Sequence, residues 1–168
     1  MSMSNVRPSN RMVEAETVSA RPAPTLVGTW RLLSWEAGAA DGSVTLPFGD
    51  RPAGYTVYTT DGHLFGQLMR RDRPDFAGGD LLGGTPEENA MAIRGYIAYG
   101  GTYEIQEGTV VHHVEVSLFP NWIDGDQRRI VEWDEDRLIL STPPMLTGGS
   151  ALIHRLTWER VLPSQSPD

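Results

Sequence analysis

The stretch LIHRLTWER, residues 152–160, carries the pattern on which the fold prediction depends. Its residues alternate in character with a period of two, as expected of a β-strand with one buried face. One face carries Leu152, His154, Leu156 and Trp158, and the other carries Arg155, Thr157 and Glu159. The pattern predicts a strand whose first face points into the core.

Seven earlier segments have the short length and the Val, Thr, Tyr and Trp content of strands. Together with the last one they give about eight strands, at residues 26–36, 53–60, 63–70, 98–106, 109–119, 127–133, 137–141 and 151–161. Asp61-Gly62 is typical of a tight hairpin turn between the second and third strands. Most connections are too short for parallel crossovers, so the sheet is predicted to be an antiparallel meander.

An eight-stranded antiparallel meander is best accommodated as an all-β, closed up-and-down barrel, because closure removes exposed strand edges. A two-sheet sandwich is the alternative. If the barrel closes, the last strand pairs with the first, and Arg160 arrives near Trp30, where its guanidinium can stack on the indole. The string Thr85-Pro86-Glu87-Glu88 resembles a capped helix start and predicts one short helix, residues 86–94, between strands 3 and 4.

The composition limits the classes of partner and site. Residues 1–24 are polar and rich in Ser, Arg and Pro, which predicts a disordered N-terminal tail before a barrel domain at 25–162 and a C-terminal tail at 163–168. The 14 Lys and Arg against 22 Asp and Glu give a net charge of -8, and the charged residues are scattered along the sequence. Both features argue against nucleic acid and anionic membranes as partners. The absence of cysteine excludes disulfides and thiolate metal sites. Without a signal-like or membrane-spanning apolar run we expect a cytoplasmic protein, and a homodimer is compatible with the sequence.

Several motifs resemble one protein family. Gly28-Thr29-Trp30 with a terminal Arg160 looks like the lipocalin signature. The wider pattern is similar to the bacterial and fungal lipocalin-like domain proteins, through GTWRLLS at 28–34, YTTDG at 58–62, YGGTY at 99–103, HVEVSLFPNW at 113–122 and QRR at 127–129. The resemblance covers about residues 26–161 and implies a barrel that holds a small hydrophobic molecule. Some members of that family lie beside genes for secondary metabolism, where such barrels can act as cyclases or isomerases.

The candidate site depends on which face of residues 109–119 is interior. The usual rule buries the apolar face, which leaves His113, Glu115 and Ser117 in water. A three-residue loop with Gly108 in the left-handed conformation would instead pair residue 105 with 109. Tyr99 and Tyr103 would then share a face with those three polar residues, and if this face is interior the barrel contains a polar site.

On that register the sequence predicts a catalytic set inside the barrel. His113 would act as general acid or base, Glu115 would orient it or act as a second base, Tyr103 would donate to a developing oxyanion, and Arg129 would hold a carboxylate or enolate. The predicted ligand-binding residues are Tyr58, Tyr99, Ser117, Trp122, Val131, Trp133 and His154. No metal is expected, because the four histidines lack ligand spacing, and no cofactor is expected.

Two functions remain open for such a pocket. The first is a cofactor-independent enzyme that cyclises, isomerises or dehydrates a small, mostly apolar secondary-metabolite intermediate. The second is a carrier or sensor that binds a related molecule without changing it. A third class, a structural module, would be favoured by an interior completely filled with side chains.

Overall fold

Ten strands, one α-helix and one 3-10 turn make up the regular structure within residues 25–162, the part of the chain that the computed structural model describes. The predicted tails at 1–24 and 163–168 lie outside the described residues. The strands are β1 (Gly28–Gly38), β2 (Val44–Thr45), β3 (Ala53–Tyr58), β4 (His63–Met69), β5 (Tyr96–Gln106), β6 (Thr109–Ser117), β7 (Asp126–Asp134), β8 (Arg137–Ser141), β9 (Met145–Thr147) and β10 (Ser150–Arg160). The helix α1 spans Pro86–Arg94, and the 3-10 turn spans Pro120–Trp122.

Eight of these strands form a closed antiparallel barrel in the order β1, β3, β4, β5, β6, β7, β8, β10, with β10 paired back to β1. The predicted barrel is therefore confirmed over the sandwich. The sequence reading missed β2 and β9, which are short strands that pair with the ends of β1 and β10. The predicted position of the helix, between strands 3 and 4, becomes a position after β4 in the observed order, because the unpredicted strand β2 adds one to the number of each later strand.

One end of the barrel is closed by short turns and by a stacked pair. Trp30 pairs with Arg160 across the β1–β10 ladder, and the guanidinium carbon of Arg160 lies 4.2 Å from the indole centroid, as predicted. Arg160 also donates hydrogen bonds to the backbone oxygens of Thr25 and Val27. The best-buried apolar side chains, Trp30, Tyr58, Leu64, Val110 and Leu138, lie in the half of the barrel near this end.

The opposite end of the barrel carries the long connections. The segments at 39–52, 70–95, 118–125 and 142–149 all emerge there, and they contain β2, α1, the 3-10 turn and β9. The helix begins as predicted with a capping box, in which Thr85 and Glu88 exchange side-chain to backbone hydrogen bonds. Within the described residues no helix has the length and apolarity needed to cross a membrane. This open end gives access to the interior.

The β5–β6 hairpin differs from the predicted register. Gln106 pairs with Thr109 and Ile105 with Val110, so Glu107-Gly108 is a two-residue loop. Gly108 takes a positive φ of 66°, and Glu107 stays outside the left-handed region in this two-residue loop. This one-residue shift turns His112 inward and His113 outward.

A second irregularity in this hairpin changes the alternation again. Between Gly100 and Gly101 the pairing slips by one residue, so that Gly101 opposes Val114 while Gly100 opposes Val116. The extra residue is Glu115, which is exposed. A Cβ on Gly101 would lie only 2.0 Å from the backbone oxygen of His113, so the bulge requires glycine at this position.

Candidate functional site

A cavity of about 230 Å³ lies inside the barrel between the packed half of the core and the open end. Its apolar wall includes Trp35, Leu68, Ile97, Leu140 and Leu156, and its polar groups come from Thr56, Tyr99, His112, Arg129, Thr142, Thr147, His154 and Trp158. No acidic side chain among the described residues lines it. The interior is therefore an aromatic and aliphatic chamber with a small number of polar groups, the usual composition of a small-molecule site.

His112 is the central polar side chain of this wall and is only 1% exposed. Its Nε2 lies 2.8 Å from the hydroxyl oxygen of Tyr58, and its Nδ1 lies 2.9 Å from that of Tyr99. Burial, assisted by the positive charge of Arg129, lowers the pKa of His112 well below its ordinary value of 6.5. Burial likewise raises the pKa of Tyr58. His112 and Tyr58 are thus neutral at neutral pH.

A neutral imidazole donates from one nitrogen and accepts at the other, so one tyrosine donates to His112 and the other accepts from it. If Nδ1 carries the proton, it donates to Tyr99, whose own hydroxyl proton is free to point into the cavity. If Nε2 carries the proton, Tyr99 donates to Nδ1 and offers the cavity only its lone pairs. The hydrogen bonds that link Tyr58, His112 and Tyr99 can therefore make Tyr99 either a donor or an acceptor toward a bound molecule.

Arg129 brings the only formal positive charge to the cavity wall within the described residues. It projects inward from β7 opposite Val110, and it is 7% exposed. Its Nη1 donates to the backbone oxygen of Arg128 at 2.8 Å. Arg129 is absent from the ion pairs found among the described residues. A buried guanidinium without a carboxylate partner is costly, so this site favours a compensating anion or strong acceptor.

Trp158 brings an unpaired hydrogen-bond donor to the cavity. Its side chain is buried and lines the cavity, and its Nε1 has no hydrogen-bond partner. Other buried indoles of the described chain are paired: Trp30 donates to the backbone oxygen of Leu26, and Trp35 donates to Nδ1 of His154. A buried N–H without an acceptor is unusual in a folded protein and is expected where a ligand supplies the acceptor.

His154 occupies the opposite side of the cavity and is fully paired. Because Trp35 donates to its Nδ1 at 3.0 Å, the neutral ring carries its proton on Nε2, which lies 2.9 Å from the hydroxyl of Thr147. Burial lowers the pKa of His154. This histidine lies in the predicted ligand-binding set and contacts the cavity, but its hydrogen bonds are already satisfied by the protein.

The mouth of the cavity is made of large apolar side chains from two of the open-end connections. Phe119 and Trp122 come from the β6–β7 connection, and Met145 and Leu146 from β9. Trp122 packs edge-on against Tyr99, with ring centroids 5.4 Å apart. Leu146 is 83% exposed, so the rim presents apolar surface to anything that enters.

The structure removes two of the four predicted catalytic residues from the interior. His113 lies on the outer face, where its Nδ1 contacts the carboxylate of Asp126 at 2.7 Å, and Glu115 is exposed at the bulge. Both departures follow from the two-residue loop and the bulge described above. Tyr103 does point inward, but its hydroxyl donates to the backbone oxygen of Thr59 and it does not line the cavity. Arg129 alone of the four reaches the cavity.

The predicted ligand-binding residues divide in the same way. Tyr99, Trp122 and His154 line the cavity. Tyr58 lies behind His112, and Val131 and Trp133 pack against the core without reaching the cavity. Ser117 is half-buried, accepts a hydrogen bond from the backbone N–H of Phe119, and lies outside the cavity.

Sequence reasoning missed His112 and Trp158 as functional candidates. The signal for His112 was available, because the rule that buries the apolar face places it inward with Val110 and Val114. Trp158 was predicted to face inward, but its missing acceptor depends on three-dimensional packing that no sequence pattern reports.

A closed antiparallel barrel with an accessible apolar chamber has the architecture of barrels that enclose one small ligand. The chain belongs to the lipocalin-like domain family, whose sequence profile matches residues 27–161.

Among characterised relatives, the 4'-hydroxy-3'-methoxypropiophenone carrier protein ppsC of Aspergillus oryzae is 38% identical over 104 residues, which cover 56% of this chain and 94% of that protein. Two solved structures show more distant similarity. An uncharacterized protein from Bacteroides eggerthii is 14% identical over 82% of this chain and all of that one, with a TM-score of 0.41. A mutant of the fluorescent protein UnaG is 13% identical over 80% of this chain and 94% of that one, with a TM-score of 0.34.

Proposed function

We propose that the chain is a carrier for a small aromatic molecule with one ring, such as an aryl ketone or acylphenol, held in the barrel cavity. The observation that supports this most strongly is the cavity itself. Its volume of about 230 Å³ lies below the ~300–1,000 Å³ of drug-sized sites, so it suits a single ring with a short side chain. Trp35, Tyr99, Trp122 and Trp158 offer aromatic faces to that ring.

The relative from Aspergillus oryzae supports the same ligand class, because its name describes it as a carrier of a hydroxylated and methoxylated propiophenone. That compound combines one ring with a ketone and a phenol. The apolar ring suits the cavity walls, and the oxygens suit the unpaired indole of Trp158 and the guanidinium of Arg129, which has no carboxylate partner among the described residues.

The direct test is a calorimetric titration of the chain with 4'-hydroxy-3'-methoxypropiophenone. We expect saturable binding of one molecule per chain. Leu156→Trp fills the cavity from β10 and is expected to abolish binding, whereas Ile153→Trp places the same residue on the outer face of the same strand and is expected to leave it intact. Equal binding by both variants would exclude the cavity as the site.

A second candidate function, cofactor-free isomerisation of a ketone, is favoured by the hydrogen-bonded series of Tyr58, His112 and Tyr99. The Tyr99 phenol, hydrogen-bonded to a neutral imidazole, can give its proton to a carbonyl oxygen while a water molecule takes a proton from the adjacent carbon. The product is the enol, and the proton on the water returns to the phenolate. Incubation of the propiophenone with the chain in D2O separates the two functions. With a carrier, the hydrogens next to the carbonyl exchange for deuterium no faster than in buffer alone. An enolising enzyme accelerates this exchange, and the Tyr99→Phe variant loses the acceleration.

A further inference from the structure

The cavity holds an electrostatic imbalance that an ordinary apolar carrier would not need. Arg129 is buried and cationic, and none of the acidic residues described in the chain lines the cavity with it. Three titratable groups interact electrostatically with Arg129, namely His112 of β6, His154 of β10 and Tyr58 of β3. Burial keeps all three neutral, so none of them can balance the guanidinium.

The second unbalanced group is the indole of Trp158. Its buried Nε1–H lacks an acceptor, and the side chain faces the same cavity. The chamber as lined by the described residues therefore presents one unpaired N–H and one guanidinium without a counter-ion, and it contains no acidic side chain. A neutral apolar ligand would leave the indole without an acceptor and the guanidinium without a counter-ion, and buried polar and charged groups avoid both arrangements.

We propose that the cavity selects its ligand in the ionised form, as the phenolate of a para-acylphenol, with Arg129 paired to the anionic oxygen and Trp158 donating to a second acceptor on the same molecule. This proposal rests on the proposed carrier function and specifies the chemical state of the ligand. Binding of the neutral phenol from solution then releases its hydroxyl proton to the bulk solvent, and the bound species is the conjugate base.

A para-acylphenolate suits this chamber better than a carboxylate of similar size. Its charge is delocalised through the ring onto the ketone oxygen, so the anion can be placed among Leu140, Leu156 and Trp35 at a lower desolvation cost than a localised charge. Its two oxygens share the charge and match two separate donors. A carboxylate concentrates its charge on one group and would need several donors at one point, where Arg129 already gives one N–H to the backbone of Arg128.

The test compares 4'-hydroxy-3'-methoxypropiophenone with its methyl ether, 3',4'-dimethoxypropiophenone, which cannot ionise. At a pH well below the pKa of the free phenol, we expect the bound phenol to show the long-wavelength absorption band of the phenolate. We also expect the phenol to bind at least about tenfold more tightly than the ether, as a charge-assisted hydrogen bond provides.

Variants assign the effect to Arg129. In Arg129→Met the phenolate band is expected to disappear and the affinity for the phenol to fall to that for the ether. Arg128→Met removes the same charge from the outer face of the same strand and is expected to retain both. Arg129→Lys keeps the positive charge and is expected to keep the band with weaker binding, which covers the case in which the methionine variant does not fold.

Each outcome decides the proposal. A bound phenol with the spectrum of its neutral form, or equal affinity for phenol and ether, contradicts ionised binding while leaving the carrier function in place. A phenolate band that persists in Arg129→Met contradicts the assignment to Arg129. If neither compound binds the wild-type chain, the carrier function fails and this proposal fails with it.

Discussion

Tyr99 and His112 are joined in the cavity wall by a contact of 2.9 Å between the phenol oxygen and Nδ1. Because Tyr58 occupies the other ring nitrogen, no nitrogen of His112 is left for water or for a ligand. The histidine therefore acts on the cavity through Tyr99, and it remains neutral where an exposed histidine would take up a proton. This arrangement has a measurable consequence for folding.

The first prediction concerns the pH dependence of stability. The pKa of His112 is lowered in the folded state, so as pH falls below 6.5 the unfolded chain binds a proton that the folded chain does not. The free energy of unfolding should then decrease with falling pH, by up to about 1.4 kcal/mol per pH unit for one proton, and His154 shifts in the same direction. Urea unfolding between about pH 8 and about pH 5 measures this slope.

His112→Phe is the variant that assigns the slope. It removes the titrating ring and is expected to reduce the pH dependence to the part that His154 contributes, while costing about 1–3 kcal/mol at high pH because Tyr58 loses a buried partner. A variant with the wild-type slope would show that His112 is protonated equally in both states.

The second prediction concerns the bulge that sets the inner face of β6. Gly101→Ala would place a Cβ 2.0 Å from the backbone oxygen of His113 and should destabilise the chain by about 2–4 kcal/mol. Gly78→Ala adds the same methyl group in open space and should change stability by less than about 0.5 kcal/mol. Thermal and urea unfolding of both variants provide the comparison. Similar losses of stability would mean that the close approach of the two backbones at Gly101 does not require glycine there.

The third prediction concerns the closed end of the barrel. Arg160→Met removes the guanidinium from the Trp30 ring and its donors from the backbone of Thr25 and Val27, with an expected loss of about 1–3 kcal/mol. Arg155→Met on the same strand breaks only an exposed ion pair with Glu132 and should cost less than about 1 kcal/mol. Equal losses of stability in the two variants would show that the stacked pair stabilises the barrel no more than an exposed ion pair does.

The fourth prediction separates the two adjacent histidines. His113 contacts Asp126 on the outer face, so His113→Ala should leave ligand affinity within about twofold of wild type, which is below 0.5 kcal/mol. Tyr99→Phe removes the hydroxyl that links the cavity to His112 and should weaken binding of a carbonyl or phenol ligand. Calorimetry on the two variants tests this, and a reversed order would return the site to the face that the sequence first suggested.

Much of the fold was predictable from sequence because its signals are local and repeated. The alternation in residues 152–160 placed His154 and Trp158 inward, and closure then brought Arg160 onto Trp30, as the structure confirms. The capping box at Thr85 located the helix for the same reason, since each of its bonds spans three residues.

The site was harder to predict because it depends on a register that sequence leaves nearly balanced. Both a two-residue and a three-residue loop at Glu107-Gly108 put the left-handed residue at glycine, and the choice exchanges His112 for His113. The bulge at Gly101 then depends on contact between two backbones, which becomes apparent only when the strands are paired. Arg129 was found because β7 has no bulge and alternates regularly.

The most direct measurement of ligand binding in the cavity is the indole N–H resonance of Trp158, identified by its loss in Trp158→Phe. This proton has no acceptor in the protein, whereas that of Trp30 is bonded to the backbone of Leu26. On saturation with 4'-hydroxy-3'-methoxypropiophenone, the Trp158 resonance is predicted to shift strongly and the Trp30 resonance to stay in place. Saturable binding that leaves the Trp158 resonance unmoved would contradict a ligand held at the unpaired indole of the barrel interior.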